Sequence, residues 1–390
     1  MNVLYLIKSF AIKAGTERVF CDKMNYLASH GYHVMLVTYE QGDYPNAFEL
    51  NDSIIQRDLS TRFYVLYKYS LLRRIIERRF LKHFFLKRLQ LLVDDFQPQI
   101  IVTTTYQINL LDQILQLRTN AFLVLESHVA CHKIQKSYNY PVGLKRFIAR
   151  QYDSYYFKKV SCFDRIVALT SSDAQEWRHY TNKVTVIPNP VTLYPDKIEI
   201  KNKSFNRIIC AGRLHEQKGF DLLIKAFSLI SDKCPNWIID IFGEGDDEGF
   251  LKQLIADEKL EDRIVINSPT SLIYDEYQKS DFYVLSSRYE GYGLVLLEAM
   301  SCGIPCVSFR CKYGPEEIIT SGEDGLLVDD GNVQALADSM LWMIEHSVER
   351  KEMGKKARKN VAKYKKDIIM RSWITLFNEL CNSNDGKLVR

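Results

Sequence analysis

The chain has 390 residues, 46% of them apolar and 26% charged, and a formal charge of +4. This usage excludes disordered, collagen-like and mucin-like proteins and leaves an ordinary globular one. The length exceeds what one hydrophobic core organises and suits two α/β domains.

Nine cysteines without a Cys-x-x-Cys pair predict reduced, mostly buried thiols and a cytoplasmic setting. The N-terminus shows no convincing leader-cleavage pattern. No run reaches the roughly 20 apolar residues that cross a bilayer, so membrane contact would be peripheral.

Val3 to Ile7 reads as a strand, followed by a loop containing Gly15. Val19, Phe20, Met24 and Leu27 then recur at helical spacing, Gly31 stops the helix, and Val34 to Val37 restores strand character, a βαβ opening. Further strands are predicted at Ile100 to Thr103, Phe122 to Glu126, Ile166 to Leu169 and Val184 to Ile187. Thr192 to Asn206 is mostly polar and predicts a domain linker. A second α/β series follows, with strands at Ile208 to Ala211, Trp237 to Phe242, Ile264 to Ile266, Phe282 to Leu285, Pro305 to Phe309 and Gly325 to Val328. Helices are predicted from Phe220 to Ile230, from Gly249 to Asp257 and from near Gly293. Short β-rich runs alternating with helices imply parallel sheets, whose ligands collect at the carboxyl ends of the strands.

Charge is uneven. Arg62 to Leu92 holds nine basic residues against the single acid Glu77, a local +8 that leaves −4 for the rest of the chain. The positive field is therefore localised and suits anionic lipid, polyphosphate or nucleic acid, without choosing among them. Tyr67, Leu71, Leu72, Ile75, Ile76 and Phe80 are interleaved with Arg74, Arg78 and Lys82, which fall along one helical edge. Such a segment can lie on anionic headgroups or grip a lipid-linked pyrophosphate. The plainer alternative is a solvated helix packed on its domain.

Two motifs concentrate chemistry. In Ser286 to Met300, Glu290 and Glu298 stand eight residues apart, and Gly291, Tyr292, Gly293 and Leu294 follow the first. With a helix from Leu294, unpaired amides there would bind a phosphate oxygen. The carboxylates would accept from sugar hydroxyls, Glu290 from a hexose and Glu298 from ribose. The second motif, Gly212 to Gly219, ends a strand and opens a helix; Arg213 and Lys218 can neutralise a departing diphosphate. Gly243-Glu244-Gly245 and Gly15 read as close-approach loops, although a plain tight turn explains each equally. His128 closes the strand at Phe122 to Glu126, where a neutral imidazole could donate to a sugar hydroxyl. No spacing predicts a metal site.

Taken together, these pieces clearly resemble glycosyltransferase family 4. They are Gly15, Glu126-Ser127-His128, Ile187-Pro188-Asn189-Pro190, Gly212-Arg213 with Lys218-Gly219, Gly243-Glu244-Gly245 and the Glu-x7-Glu motif Glu290 to Glu298. Cys302-Gly303-Ile304-Pro305, Tyr313-Gly314-Pro315-Glu316-Glu317 and Asp324 to Val328 complete the pattern. The resemblance implies an α/β protein of the GT-B fold, with two Rossmann-like domains facing an interdomain cleft. Residues 1–191 would bind the acceptor, with the basic segment at 62–92; 192–206 would link; 207–366 would bind the nucleotide sugar; 367–390 would form a helical segment crossing back.

The resemblance further implies a retaining hexosyltransferase using a UDP-sugar without metal, acting on a lipid-linked or membrane-associated glycan at an anionic membrane surface, with no nucleic-acid partner. Arg213 and Lys218 would hold the diphosphate, Glu290 the sugar and Glu298 the ribose. Gly15 and the backbone of Gly291 to Leu294 would lie near phosphate, Gly243 would line the donor site, and His128 would contact the sugar. Two other classes compete. An NAD(P)-dependent oxidoreductase would open on a clearer Gly-x-Gly-x-x-Gly, and a noncatalytic carbohydrate-binding protein would leave the diphosphate constellation unexplained.

Overall fold

A computed structural model describes residues 1–12, 14–135, 142–198 and 205–382. Residues 199–204 of the expected linker and 383–390 of the expected C-terminal segment lie outside the described residues.

The chain forms two units, Met1–Pro188 with Ile369–Arg390, and Asn189–Ile368. The first contains β1 (Asn2–Ile7), α1 (Gly15–Ser29), β2 (His33–Thr38), β3 (Ile55–Asp58), α2 (Leu71–Phe96), β4 (Ile100–Thr104), α3 (Leu111–Leu115), β5 (Phe122–Ser127), α4 (Cys131–Ile134), α5 (Leu144–Val160), β6 (Arg165–Ala168), α6 (Ser171–Arg178) and β7 (Val184–Val186). The second contains β8 (Arg207–Ala211), α7 (Phe220–Ser228), β9 (Ile238–Phe242), α8 (Glu248–Asp257), β10 (Ile264–Asn267), α9 (Ile273–Gln278), β11 (Phe282–Leu285), α10 (Leu294–Ser301), β12 (Cys306–Phe309), α11 (Pro315–Ile318), β13 (Gly325–Val328), α12 (Val333–Glu345) and α13 (Ser347–Val361). The last helix, α14 (Lys366–Asn382), belongs to the first unit from Ile369 onward.

Every paired strand is parallel. The sheet orders are β3-β2-β1-β4-β5-β6-β7 and β10-β9-β8-β11-β12-β13. Inner strands such as β4, β5 and β12 are buried at every position, because helices cover both faces of a parallel sheet. Each order reverses beside the first strand of its unit, between β1 and β4 and between β8 and β11. That reversal separates neighbouring crossovers and opens a ligand crevice at the strands' carboxyl ends.

Three places depart from the sequence reading. The edge strand β3 was not anticipated, since its residues are largely exposed and carry no apolar alternation. The basic segment is helical only from Leu71, after a 3-10 turn at Phe63–Lys68. Along α2 only Phe85, Leu89 and Val93 are buried, a single line at four-residue spacing, and Leu72 and Phe80 remain exposed. Lastly, the stretch read as a linker is not detached over residues 192–195. Leu193 N donates to Tyr274 Oη at 2.9 Å, Ser301 Oγ donates to Leu193 O at 3.0 Å, and the Arg358 guanidinium lies 4.3 Å from the Tyr194 ring centroid. The Leu193 backbone and the Tyr194 ring thus strap it to α9, α10 and α13.

In the first unit Asp173 fixes the loop leaving β5. Its carboxylate accepts from Ser127 Oγ at 2.8 Å, Cys131 N at 2.8 Å and Trp177 Nε1 at 3.0 Å. Burial nevertheless outweighs these bonds and pushes its carboxyl up to about 6. The folded state then holds this proton between pH 4 and 6 while the unfolded chain has released it. Stability from the protonated group is complete below the unfolded value and is lost as pH rises through about 6. A displacement of that size is worth roughly 3 kcal/mol. Urea midpoints measured from pH 4 to 7 should show this loss in the wild type, and Asp173→Asn, less stable overall, should lack that part of the slope.

Candidate functional site

In the second unit the loops that leave β8 and β11 run side by side and are joined at several points. Arg288 N donates to Gln217 O at 2.9 Å, Gln217 Nε2 to Tyr289 O at 3.1 Å and Ser286 Oγ to Lys218 O at 3.0 Å. Arg288 grips Asp221 with both guanidinium ends at 2.7 Å and reaches Glu216 O at 2.8 Å. Gly219 makes the approach possible. Its φ is +62°, and a Cβ there would lie 2.1 Å from Ser286 O.

These contacts bring two expected site residues together. Lys218 Nζ donates to Glu290 Oε1 at 2.7 Å, and Ser287 Oγ donates to the same oxygen at 2.6 Å. The lysine side chain is 16% exposed and the glutamate 7%, so the pair is sheltered yet reachable. Arg213 stands exposed on the same loop, with Nη2 3.4 Å from Gln217 Oε1. Gly293 precedes the first residue of α10 at φ +93°, which leaves the opening amides of that helix without partners inside it. Gly291 and Leu294 are half-buried beside it.

Other expected residues have structural occupations. Tyr292 is buried and meets Tyr364 edge to face with ring centroids 6.4 Å apart, so its backbone alone is left for a ligand. Gly243 is fixed by packing, because a Cβ would lie 2.0 Å from Gly212 O. Glu298 is one turn inside α10 and accepts from Thr192 Oγ1 at 3.1 Å, a different partner from those of Glu290.

In the first unit Gly15 is the exposed first residue of α1. His128 sits just after β5 with its side chain 3% exposed. Its Nε2 is 2.9 Å from Glu126 Oε2, which also pairs with Lys23 Nζ. The Lys23 ammonium faces the Phe20 ring at 4.7 Å and the Trp373 ring of α14 at 4.5 Å. Burial by itself would raise Glu126, but the charge of Lys23 and the bond from His128 overcome it and hold the carboxyl below its ordinary value. Burial lowers His128 despite the pull of Glu126. A neutral imidazole has one N–H, and the carboxylate takes it. With Nε2 donating to Glu126, Nδ1 carries the lone pair.

A cavity of about 200 Å³ lies at the carboxyl edge of the first sheet, reached by Lys8 after β1, Glu40 after β2 and Tyr106 after β4. Arg74, Arg78 and Lys82 of α2 line it and also line an adjoining groove that includes Leu71 and Ile75. The cations predicted along one helical edge thus stand between an aromatic-lined cavity and a groove lined mostly by polar and basic side chains. Among the described residues no three His, Cys, Asp or Glu side chains converge on a metal position, and no helix is long and apolar enough to cross a membrane.

Sequence reasoning missed Ser287, Lys23 and Trp373. Lys23 did leave a signal, since it falls on the line Val19, Lys23, Leu27 at the four-residue spacing of the buried face of α1. A lysine on such a line must have a partner. Nothing local reveals that the partner is Glu126, 103 residues away.

Two family descriptions match the chain, Glycosyltransferase Family 4 over residues 14–193 and Glycosyl transferases group 1 over residues 195–360. An uncharacterized glycosyltransferase of Haemophilus influenzae is 27% identical over 376 residues, covering 95% of this chain and 98% of that protein. A poly(ribitol-phosphate) alpha-N-acetylglucosaminyltransferase of Staphylococcus aureus is 33% identical over 168 residues, 43% of this chain and 34% of that protein. Among solved structures, a point mutant of S. aureus TarM in complex with fondaparinux, alpha-GlcNAc-glycerol and UDP superposes with a TM-score of 0.75 at 16% identity, covering 97% of this chain and 99% of that one. The likeness is one of fold.

The contact at Gly219 can be tested without a substrate. Gly219→Ala places a Cβ against Ser286 O in left-handed backbone and should cost about 2–3 kcal/mol in urea unfolding. Gly249→Ala, where a Cβ meets nothing within 4 Å, should be neutral or stabilise by up to about 1 kcal/mol. Equal effects at the two positions would contradict the proposed packing of the loops.

Proposed function

Because the chain belongs to the family 4 glycosyltransferases of GT-B fold, we propose that it transfers a hexose or N-acetylhexosamine from a UDP-sugar to a hydroxyl of a lipid-linked or membrane-associated glycan, with retention of the α configuration. The observation that carries this reading is the joined pair Lys218 and Glu290 beside the switch between β8 and β11. A nucleotide sugar carries an anionic diphosphate next to neutral hydroxyls. A cation and a carboxylate in contact match that juxtaposition. When the donor binds, the diphosphate attracts the ammonium of Lys218, and the sugar hydroxyls replace it at Glu290.

The remaining assignments follow from the family pattern. Arg213 joins Lys218 at the diphosphate, Glu298 takes the ribose, and Gly15, Gly243 and the backbone of Gly291 to Leu294 lie against the donor. His128 accepts from a hydroxyl of the transferred sugar. In the step itself the bond from the anomeric carbon to the phosphate oxygen lengthens first. The acceptor oxygen then bonds on the same face, and its proton passes to the leaving phosphate oxygen of UDP. Lys218 and Arg213 stabilise the charge that develops there. Glu290 is not the nucleophile in this route, because it holds the hydroxyls of the transferred sugar rather than standing at the anomeric carbon. A covalent sugar adduct trapped on Glu290 during turnover would overturn this route.

The cavity of the first unit supports a phosphate-bearing acceptor. Arg74, Arg78 and Lys82 line both the cavity and the adjoining groove and would hold phosphate, and Tyr64 and Tyr106 in the cavity wall would meet sugar rings. The S. aureus relative named for poly(ribitol-phosphate) points to acceptors of the same chemistry. The exposed Leu72, Ile76 and Phe80, interleaved with Arg73 and Arg79, would rest on the anionic inner face of the cytoplasmic membrane.

Two measurements test these assignments. UDP-glucose, UDP-galactose and UDP-N-acetylglucosamine are offered in chelator, with and without membrane extract, and UDP release is followed. One donor should be consumed, faster with extract. Lys218→Ala and Glu290→Gln should each lower that rate by about 10²–10³-fold with folding retained; full activity in both would refute the donor site. For the acceptor, Arg74→Ala/Arg78→Ala/Lys82→Ala should abolish the stimulation by extract and leave extract-free donor hydrolysis unchanged. Neutralising Arg73 and Arg79 as well should weaken binding to acidic liposomes, and unchanged binding would count against the membrane face.

A further inference from the structure

Lys23 lies deep in the first unit, 1% exposed, on the buried face of α1. Its ammonium contacts Glu126 and is enclosed by the rings of Phe20 and Trp373. Packing gives no reason for a charge there, because a buried ion pair is usually no more stabilising than apolar residues of the same volume.

We propose that Lys23 is a positioning residue: as the standing charge partner of Glu126, it keeps His128 neutral and its Nδ1 lone pair available to a hydroxyl of the transferred sugar. This rests on the reading that His128 touches the sugar.

The geometry routes everything through one oxygen. Glu126 Oε1 is buried without a hydrogen-bond partner among the described residues, so Oε2 alone receives Lys23 and His128. The ionisable groups facing this centre are Lys23 from α1, Glu126 and His128 at the end of β5, and Tyr5 from β1. Burial and the charge of Glu126 keep the Tyr5 hydroxyl protonated. Burial lowers Lys23 against the pull of Glu126; with the ammonium in place the centre holds one cation and one anion, and burial first, then the ammonium, opposes a second cation on His128. Without Lys23, the carboxylate in its low-dielectric site would draw a proton onto the imidazole. Nδ1 would then carry hydrogen and could no longer accept. Trp373 adds a condition from the end of the chain, since α14 must be docked for the ammonium to have its second aromatic face.

The test follows the ring and the reaction together in the full chain. Histidine is labelled with ¹⁵N, the signals of His128 are identified among the eight histidines by their loss in His128→Asn, and UDP release from UDP-glucose and UDP-N-acetylglucosamine is measured from pH 6 to 8. The wild type should show a neutral ring protonated at Nε2 throughout and a flat rate. In Lys23→Met the ring should titrate within that range. The rate should fall on the acid side, about ten-fold per pH unit below the ring's midpoint, and recover above it. A purely structural role would lower the rate equally at every pH.

Should Lys23→Met fail to fold, Lys23→Met/Glu126→Gln removes both charges and should restore a neutral ring that does not titrate. An imidazolium in the wild type, an unaltered titration and pH profile in folded Lys23→Met, or a titrating ring in the double variant would each overturn the proposal. If His128→Asn leaves donor consumption intact, the sugar contact fails as a reading, while the titrations still decide whether Lys23 controls the ring.

Discussion

A parallel sheet that begins at its centre and winds outward in both directions must part its connections beside its first strand. Both units obey this constraint, at β1 and β4 and at β8 and β11, and the chemistry of the chain collects around it. In the second unit the parted loops are drawn together again by backbone contacts that tolerate only glycine at position 219. Those contacts put Lys218 beside Glu290. In the first unit the corresponding edge carries a cavity instead, because the long segment after β3, from Phe63 to Lys82, supplies its far wall. One topological rule therefore yields two different kinds of pocket, and the difference comes from the connections rather than from the sheets.

Glycine serves two distinct ends here. At Gly293 and Gly219 it adopts positive φ and lets a helix begin abruptly at the strand edge. At Gly243 it removes the side chain that would strike Gly212 O. A sequence motif built from such residues therefore mixes positions a ligand approaches with positions only the fold requires. In the Gly-x-Gly after β9, the fold by itself already demands glycine at position 243.

The strands and most helices were legible because burial on both faces of a parallel sheet writes continuous apolar runs, and because Gly31, Gly219 and Gly293 punctuate them. The site loops were legible for a related reason, as they follow those runs at a fixed place in each unit. What stayed hidden depended on distance. The strand β3 holds its place by pairing with β2 at one edge and has no pattern of its own. The polar stretch at 192–195 looks free until its partners on α9, α10 and α13 are seen. Ser287 is an ordinary serine unless Glu290 turns back toward it, and Lys23 is an anomaly in a helix until β5 supplies the anion. For His128 the pattern of strand and loop indicates where the ring stands but not its hydrogen-bonding sense, because the acceptor that consumes its N–H becomes visible only with the ring in place.

Two lysine–glutamate pairs make the contrast concrete. Lys218 and Glu290 are 16% and 7% exposed, and Lys23 and Glu126 are 1% and 0% exposed. The first pair can part when a ligand brings its own anion and hydroxyls, because each charge then exchanges one partner for another without being left alone. The second pair has no such exchange open to it. Separating its charges would strand both in a site where burial already opposes each, and where Phe20 and Trp373 offer only ring faces. The same two side chains are therefore suited to opposite duties, a replaceable contact in one setting and a fixed field in the other. What decides between them is how far water, and so a polar ligand, can reach.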